Sequence, residues 1–144
     1  MASVKQITSF SELSQLLEVM VDTQVEFDKR FPTDMSKVQI AGWLIELFGL
    51  GCRFYVERYD DGPLKFFSVI DLKTDKKEAV WHILYCHPRF RYKTKAVLEE
   101  IKNDLRIAGM NKIFSKTRRV TPSYKRFMAS IGSYPFEITY KCEL

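Results

Sequence analysis

Three consecutive runs of alternating apolar and polar residues constrain this chain more than any other feature of its sequence. The alternation begins at Cys52 and ends at Cys86, and two turn-forming stretches, residues 60–63 and 74–77, divide it into three segments. Alternation with a period of two is typical of strands, and short turns of this kind join neighbouring antiparallel strands. The middle of the sequence therefore predicts three consecutive antiparallel strands.

Helical periodicity flanks these strands on both sides. Ser9 and Glu12 have the spacing of a capping box and precede an apolar stripe, and Gly109 follows a second long stripe as a C-terminal cap. A further stripe ends near Gly49 and is built from Val38, Ala41, Leu44, Ile45 and Phe48. The predicted helices span about 11–27, 38–48, 93–108 and 122–131, and further strands span about 110–117 and 136–142.

Length and composition favour a single ordered domain over residues 1–144. Hydrophobic residues make up 46% of the 144 residues, with only 6 Gly and 5 Pro, which argues against a disordered segment or linker. No run approaches the ~20 apolar residues of a membrane span, and no signal-peptide pattern is present, so we expect a cytoplasmic protein with no membrane partner. The three cysteines, Cys52, Cys86 and Cys142, lie in apolar runs and are predicted to be reduced, buried thiols.

Positive charge is concentrated in one part of the chain. Residues 85–126 contain twelve Lys or Arg against three acidic residues, a net charge of +9, whereas the whole chain carries +5. A local field of this sign favours a polyanionic partner, which leaves open a nucleotide phosphate tail, a nucleic acid or an acidic protein face. We call residues 85–126 the basic segment.

The predicted order is two helices, three strands, a helix, a strand, a helix and a strand, and it resembles that of the GNAT N-acetyltransferases. Two short matches support the resemblance. Residues 87–91 are similar to the family's strand-end Pro-x-x-Arg, and Phe127 with Ile131 and Gly132 is similar to its aromatic-x-x-x-Leu-Gly helix end. The resemblance implies an α+β fold with one GNAT-like domain, in which helices flank a central, mostly antiparallel mixed sheet. It also implies an acetyl-CoA-dependent enzyme.

The resemblance places the cofactor at the connection between the third strand and the long helix. The family's loop there reads Arg-Gly-x-Gly-x-Gly/Ala, and its backbone N–H groups hold the pyrophosphate at a helix N-terminus. Here Tyr92 and Thr94 replace two glycines, so we expect acetyl-CoA to bind weakly. The residues assigned to the cofactor are Leu84, Tyr85, Cys86, Arg91, Tyr92, Lys93, Thr94, Lys95 and Ala96.

The same resemblance implies three catalytic candidates. Glu78 and His82 are the bases available on one face of the third strand, and Tyr124 is the nearest tyrosine able to protonate a thiolate. The family's usual tyrosine and asparagine positions hold Met128 and Thr121 instead. Each candidate also has an ordinary structural interpretation: a solvated glutamate, a strand histidine and a packing tyrosine.

Other chemistries find less support in the sequence. His82, Cys86 and His87 lie close together, but neighbouring strand residues point to opposite faces and further zinc ligands are missing, so no metal is expected. The sequence has no Gly-x-Ser-x-Gly and no phosphate-binding loop that ends in Gly-Lys-Ser/Thr.

Two functions of different classes remain open. The first is CoA-dependent N-acyl transfer, weak or lost because of the altered loop. The second is a non-catalytic domain that docks a protein or nucleic acid through the basic segment. For nucleic acid, Phe90 and Tyr92 would stack bases between the phosphate-binding Arg89, Arg91 and Lys93. Short, glycine-poor, Lys-rich proteins of this type resemble ones from bacteriophage genomes, which would place the second function in a virion or in the host cytoplasm.

The apolar stripes also predict a set of core residues. Each member lies on the apolar face of its predicted helix or strand. The residues predicted to be largely buried are Trp43, Leu44, Phe54, Val56, Ile70, Ile83, Leu98, Ile101 and Phe127.

Overall fold

The computed structural model describes residues 4–28, 35–115, 122–134 and 142. The predicted strand over 136–142 lies outside the described residues apart from Cys142. In chain order the elements are β1 (Lys5–Ile7), α1 (Phe10–Asp28), α2 (Lys37–Gly49), β2 (Arg53–Arg58), β3 (Leu64–Lys73), β4 (Glu78–Cys86), a 3₁₀-helix (Pro88–Lys93), α3 (Thr94–Ile107), β5 (Lys112–Ser115) and α4 (Pro122–Ser130).

The described strands form one mixed sheet in the order β1-β2-β3-β4-β5. The first four strands are antiparallel to their neighbours, and β5 pairs in parallel with β4. The parallel pair is possible because α3 carries the chain back along the sheet between the two strands. The α+β class and the mostly antiparallel sheet are therefore confirmed. Periodicity missed β1, because three residues are too few to establish an alternating pattern.

Two hydrophobic cores lie on opposite faces of the sheet. Phe54, Phe67 and Val69 belong to the core beneath α1 and α2. Phe66 and Ile70 belong to the core formed with α3 and with Ile131 at the end of α4. Successive strand residues point to opposite faces, so β3 contributes to both cores and is buried along most of its length.

The buried stripe of α2 differs from the predicted one. Ile40, Leu44 and Leu47 face the core, whereas Val38 is 82% exposed. Helix α2 has apolar residues on more than one face, so two stripes satisfy helical periodicity and only the contact with the sheet selects between them.

Among the nine predicted core residues, Trp43 and Phe127 are only half-buried. The other seven are buried, as predicted: Leu44, Phe54, Val56, Ile70, Ile83, Leu98 and Ile101.

The cysteines occupy three different environments. Cys52 is a buried free thiol, and burial together with the nearby Asp71 carboxylate raises its pKa to about 11. Cys86 is a half-buried free thiol at the end of β4. Cys142 lies at the surface, so the prediction of a buried residue was wrong at that position.

One buried polar contact crosses the centre of the sheet. The indole Nε1–H of Trp81 on β4 donates a hydrogen bond of 2.8 Å to Oγ of Ser68 on β3, and both residues are buried. A buried donor that loses its acceptor costs more free energy than the bond contributes, because water cannot replace the lost partner.

We expect Ser68→Ala to lower the free energy of unfolding by about 1–3 kcal/mol, since it leaves the Trp81 N–H without an acceptor. Denaturant titration measures the change. Ser14→Ala is the matched control, because Ser14 is exposed and its hydroxyl donates only to the Phe10 carbonyl within α1. Equal effects of the two substitutions would contradict this account of the Trp81 contact.

A cluster of polar contacts on Glu12 joins β1 to the first turn of α1. The Glu12 carboxylate accepts hydrogen bonds from the Thr8 hydroxyl at 2.9 Å and the Thr8 N–H at 3.3 Å. It also pairs with Lys5 Nζ at 2.6 Å. These contacts, with Lys5 first, lower the pKa of Glu12 from 4.5 to about 2. The carboxylate therefore stabilises this junction only while it is ionised.

The lowered pKa of Glu12 predicts a defined dependence of stability on pH. A depressed pKa contributes stability above the unfolded value of 4.5 that disappears as the pH falls toward about 2. Glu12→Gln should therefore be less stable than the parent protein at neutral pH, and the difference should shrink across that interval. Thermal unfolding at a series of pH values measures it. Glu18→Gln, at an exposed position of α1, is the control, and a Glu12→Gln deficit that persists unchanged at low pH would contradict the prediction.

Candidate functional site

An irregularity in β4 directs His82 away from regular pairing. Ile83 pairs with Val69 and Trp81 pairs with Ile70, so His82 is an extra residue without a partner on β3. A bulge of this kind re-aims the side chain that it carries. The imidazole is exposed and lies edge-to-face against Trp43 of α2, with 6.4 Å between the ring centroids. In the described part of the chain neither ring nitrogen of His82 has a hydrogen-bond partner.

Glu78 shares the sheet face of His82 but lies at the other end of β4. Ala79 and Trp81 point into the α3 core, so Glu78 and His82 point toward the opposite face, as the alternation predicts. Four residues of strand separate them by about 13 Å, which is too far for both to act on one proton. Glu78 is half-buried, and its register partners are Lys73 on β3 and Lys112 on β5.

The third catalytic candidate, Tyr124, lies within α4. The helix forms where the sequence predicts it, over Pro122–Ser130, but the side chain of Tyr124 lies outside the described residues. Met128, at the family's usual tyrosine position, is half-buried and packs against the α3 core.

The connection between β4 and α3 is a 3₁₀-helix rather than an open loop. The Phe90 N–H donates to the His87 carbonyl at 2.8 Å, the Arg89 N–H donates to His87 Nδ1 at 3.1 Å, and the Thr94 N–H donates to the Arg91 carbonyl. These amides are therefore already engaged within the protein. An anion that needs them must first break those bonds.

Tyr92 and Thr94, which replace the family's glycines, are not under backbone strain in this conformation. The described residues with positive φ lie elsewhere, and none of residues 88–96 is among them. Tyr92 and Thr94 therefore adopt ordinary helical geometry. The sequence did carry a signal for this helix, because His87 followed by Pro88 is a helix-start pattern with proline at the first position.

Thr94 points into the protein rather than toward a ligand. Its side chain is buried, and Oγ1 lies 2.9 Å from Sγ of Cys86. Burial raises the pKa of the Cys86 thiol, while the Thr94 contact and the Arg91 charge oppose the shift. The contact fixes the end of β4 to the start of α3.

The nine predicted cofactor residues thus divide into an inner and an outer group. In the inner group, Thr94 is buried, Leu84 and Cys86 pack against the α3 core, and Tyr85 packs against the core beneath α1 and α2. The outer residues surround the start of α3: Lys93 is half-buried, and the exposed ones are Arg91, Tyr92, Lys95 and Ala96. An anion at this connection would meet the cationic side chains of Arg91, Lys93 and Lys95.

The sequence did not single out two surface residues that adjoin this connection. Lys65 Nζ on β3 lies 4.9 Å from the ring centroid of Tyr59 and 6.0 Å from that of Phe90. The Tyr59 ring also meets His87 edge-to-face at 5.4 Å. Only folding brings these residues together, because the β2–β3 turn and the 3₁₀-helix are distant in the sequence.

No described helix is both long and apolar enough to cross a membrane. No group of three His, Cys, Asp or Glu side chains with the arrangement of a metal site occurs among residues 4–28, 35–115, 122–134 and 142.

Solved structures match this fold over almost the whole chain. A probable acetyltransferase matches with a TM-score of 0.72 at 13% identity, over 99% of this chain and 98% of the other. Ribosomal-protein-alanine N-acetyltransferase from Brucella melitensis biovar Abortus 2308 matches with a TM-score of 0.69 at 13% sequence identity, over 99% of this chain and 100% of the other. AAC(6')-Iy, solved with the bisubstrate analog CoA-S-monomethyl-acetylneamine, matches with a TM-score of 0.67 at 14% sequence identity, over 99% of this chain and 98% of the other.

The relationship is visible in the fold and not in the sequence. No family model and no curated protein matches the sequence of this chain. Structural similarity at such low identity establishes the fold and leaves the chemistry to the site. The element order, the mixed sheet with its parallel β4–β5 pair and the structural matches agree, and they show that this chain has the fold of the GNAT acetyltransferases.

Proposed function

We propose that this protein is a GNAT-fold relative of the acyl-CoA N-acyltransferases whose cofactor site is weakened, so that acyl transfer is weak or lost. The observation that carries the proposal is the 3₁₀-helix Pro88–Lys93. Its hydrogen bonds engage the N–H groups of Arg89, Phe90 and Thr94, which leaves fewer amides at this connection for a pyrophosphate. The residues present therefore do not fit tight amide-based binding of acetyl-CoA.

Residual cofactor affinity would come from charged side chains. Arg91 and Lys95 are exposed and Lys93 is half-buried beside them. Cationic side chains attract phosphates without any amide cradle, but the attraction between exposed charges is screened by salt. Binding of acetyl-CoA by these groups is therefore expected to be weak and ionic.

His82 is the described side chain best placed to accept a proton from an acceptor amine. It is exposed at the bulge of β4, and its nitrogens are uncommitted, whereas Glu78 lies at the far end of the strand between two lysines. Histidine is also the side chain whose ordinary pKa is closest to neutral pH. We assign any remaining base function to His82, with Tyr124 retained as the proposed acid.

The second candidate function is non-catalytic docking of a protein or nucleic acid through the basic segment. One observation favours it: no acidic residue occurs between Ala79 and Leu98, whereas Arg89, Arg91 and Lys95 are exposed within that stretch. Uncompensated surface charge of one sign attracts polyanions. A cytoplasmic or virion setting and a bacteriophage origin belong to this candidate and remain proposals.

Isothermal titration with acetyl-CoA at low and high salt tests the first function. We expect weak binding at low ionic strength that falls steeply as salt is raised, because phosphate contacts by exposed cations are screened. The Arg91→Ala variant should lose most of the salt-dependent part. Micromolar binding by the parent protein that is insensitive to salt would overturn the proposal of a weakened site.

Glycine at position 92 tests whether the 3₁₀-helix limits cofactor access. Glycine costs a helix roughly 1 kcal/mol relative to alanine, so Tyr92→Gly should loosen the turn and free its amides. We expect Tyr92→Gly to bind acetyl-CoA about 2- to 5-fold more tightly than Tyr92→Ala, which removes the same ring without the added flexibility. Thr94 is left unchanged, because it bonds to Cys86. Equal affinity of the two variants would show that amide access is not limiting.

A further inference from the structure

A chain of aromatic and cationic side chains runs along the surface from the β2–β3 turn to the start of α3. Tyr59 contacts Lys65, Lys65 lies over Phe90, and Phe90 meets Tyr92 at 6.4 Å between ring centroids. Lys93 Nζ lies 5.8 Å from the Tyr92 centroid and completes the series. We call these five residues the aromatic–cation ridge.

Tyr92 is the ring of the ridge that faces solvent. It is 78% exposed and lies in the last turn of the 3₁₀-helix. Phe90 is only 5% exposed and supports Tyr92 from below at an interplanar angle of 69°. The prediction that both rings would stack bases is therefore wrong for Phe90, which is part of the α3 core. Tyr92 alone offers a free face.

Positive charge along the ridge is uncompensated mainly near Tyr92. At the other end, Glu57 already pairs with Lys65 at 3.8 Å, and the exposed Asp60 and Asp61 lie in the turn beside Tyr59. Around Tyr92, the exposed Arg91 and Lys95 form no ion pair with another described residue, and residues 79–98 contain only basic and neutral side chains. A ligand with phosphates is therefore directed to the Tyr92 end.

The charged donors at this end are the side chains of Arg91 and Lys95. Hydrogen bonds within the connection engage the N–H groups of Arg89, Phe90 and Thr94, so these two side chains are the main donors for phosphates around the Tyr92 ring. Positive side chains that track a backbone, combined with an aromatic platform for a base, are the elements by which proteins bind single-stranded nucleic acids. A duplex has its bases already stacked and offers no free base to the ring.

We propose that the Tyr92 end of the aromatic–cation ridge binds single-stranded nucleic acid, with Tyr92 stacking on a base while Arg91, Lys93 and Lys95 contact phosphates. The inference rests on the second function proposed above and names its partner. It does not depend on acyl transfer.

Fluorescence anisotropy with a labelled single strand of about 20 nucleotides tests the stacking role. Loss of one base–aromatic stack should weaken binding roughly 5- to 150-fold in Tyr92→Ala, whereas Tyr92→Phe keeps the ring and should bind nearly as the parent protein does. The matched control is Tyr134→Ala, because Tyr134 is equally exposed, at 79%, but follows α4 outside the ridge. Equal losses at the two tyrosines would overturn the proposal.

The salt dependence of the same titration tests the phosphate contacts. Each phosphate contact on a single strand contributes about 0.7 to the slope of log affinity against log salt, so Arg91→Ala with Lys95→Ala should reduce the slope by about 1.4. Lys73→Ala with Lys76→Ala is the control of equal charge, because that turn lies at the opposite end of β4. A slope reduced equally by both pairs would show that only the overall charge matters.

Competition separates this site from other polyanion sites and from a tight cofactor site. We expect an unlabelled single strand to displace the probe, and an equal-length duplex or polyglutamate to do so far less well. Displacement by polyglutamate at the same charge concentration would reduce the ridge to a general anion surface and overturn the proposal. Because Arg91, Lys93 and Lys95 also belong to the proposed cofactor site, acetyl-CoA should displace the probe only weakly; displacement by acetyl-CoA more effective than by the unlabelled single strand would assign these side chains to the cofactor and overturn this proposal.

Discussion

The structure depends on the central strand β3, whose side chains are buried on both faces of the sheet. Phe67 and Val69 face the core beneath α1 and α2, and Phe66 and Ile70 face the core with α3. Burying one such side chain stabilises the folded state by about 1.5–3 kcal/mol, so one strand ties two otherwise separate helical layers together. The buried polar residue of this strand, Ser68, is tolerated because it accepts the hydrogen bond of Trp81.

The candidate site depends on two features of β4, the strand that pairs with β3: its bulge at His82 and the contacts at its C-terminal end. The bulge at His82 interrupts the ladder and leaves the imidazole exposed against Trp43. At the far end, the His87 N–H donates to the Lys65 carbonyl at 2.8 Å, and Thr94 bonds to Cys86. These contacts hold the 3₁₀-helix against the sheet. Other hydrogen bonds of the connection engage the N–H groups of Arg89, Phe90 and Thr94, which are then no longer free for an anion.

Both proposed functions follow from the hydrogen bonding within the connection between β4 and α3. Because N–H groups of this connection are already hydrogen-bonded, both proposals have side chains bind the phosphates. Binding by side chains weakens recognition of one compact pyrophosphate and suits a longer phosphate chain. In the proposed nucleic-acid site, the exposed Tyr92 supplies a ring face that a glycine at this position could not provide. On these two proposals, residues of a single connection decide which ligand the fold takes.

The sequence determined the elements of this protein, whereas the tertiary structure decided how the site is arranged. Periodicity predicted α1, α3, α4 and the three antiparallel strands, because each pattern of burial repeats within one element. It could not decide which of two apolar faces of α2 is buried, since that choice is made by contact with the sheet. It also could not distinguish Phe90 from Tyr92: the two aromatics lie two residues apart, and only the 3₁₀-helix turns one into the core and the other to solvent. The proximity of Lys65 and Tyr59 to that helix was likewise beyond the sequence, because contacts between distant segments arise from sheet pairing and not from local pattern.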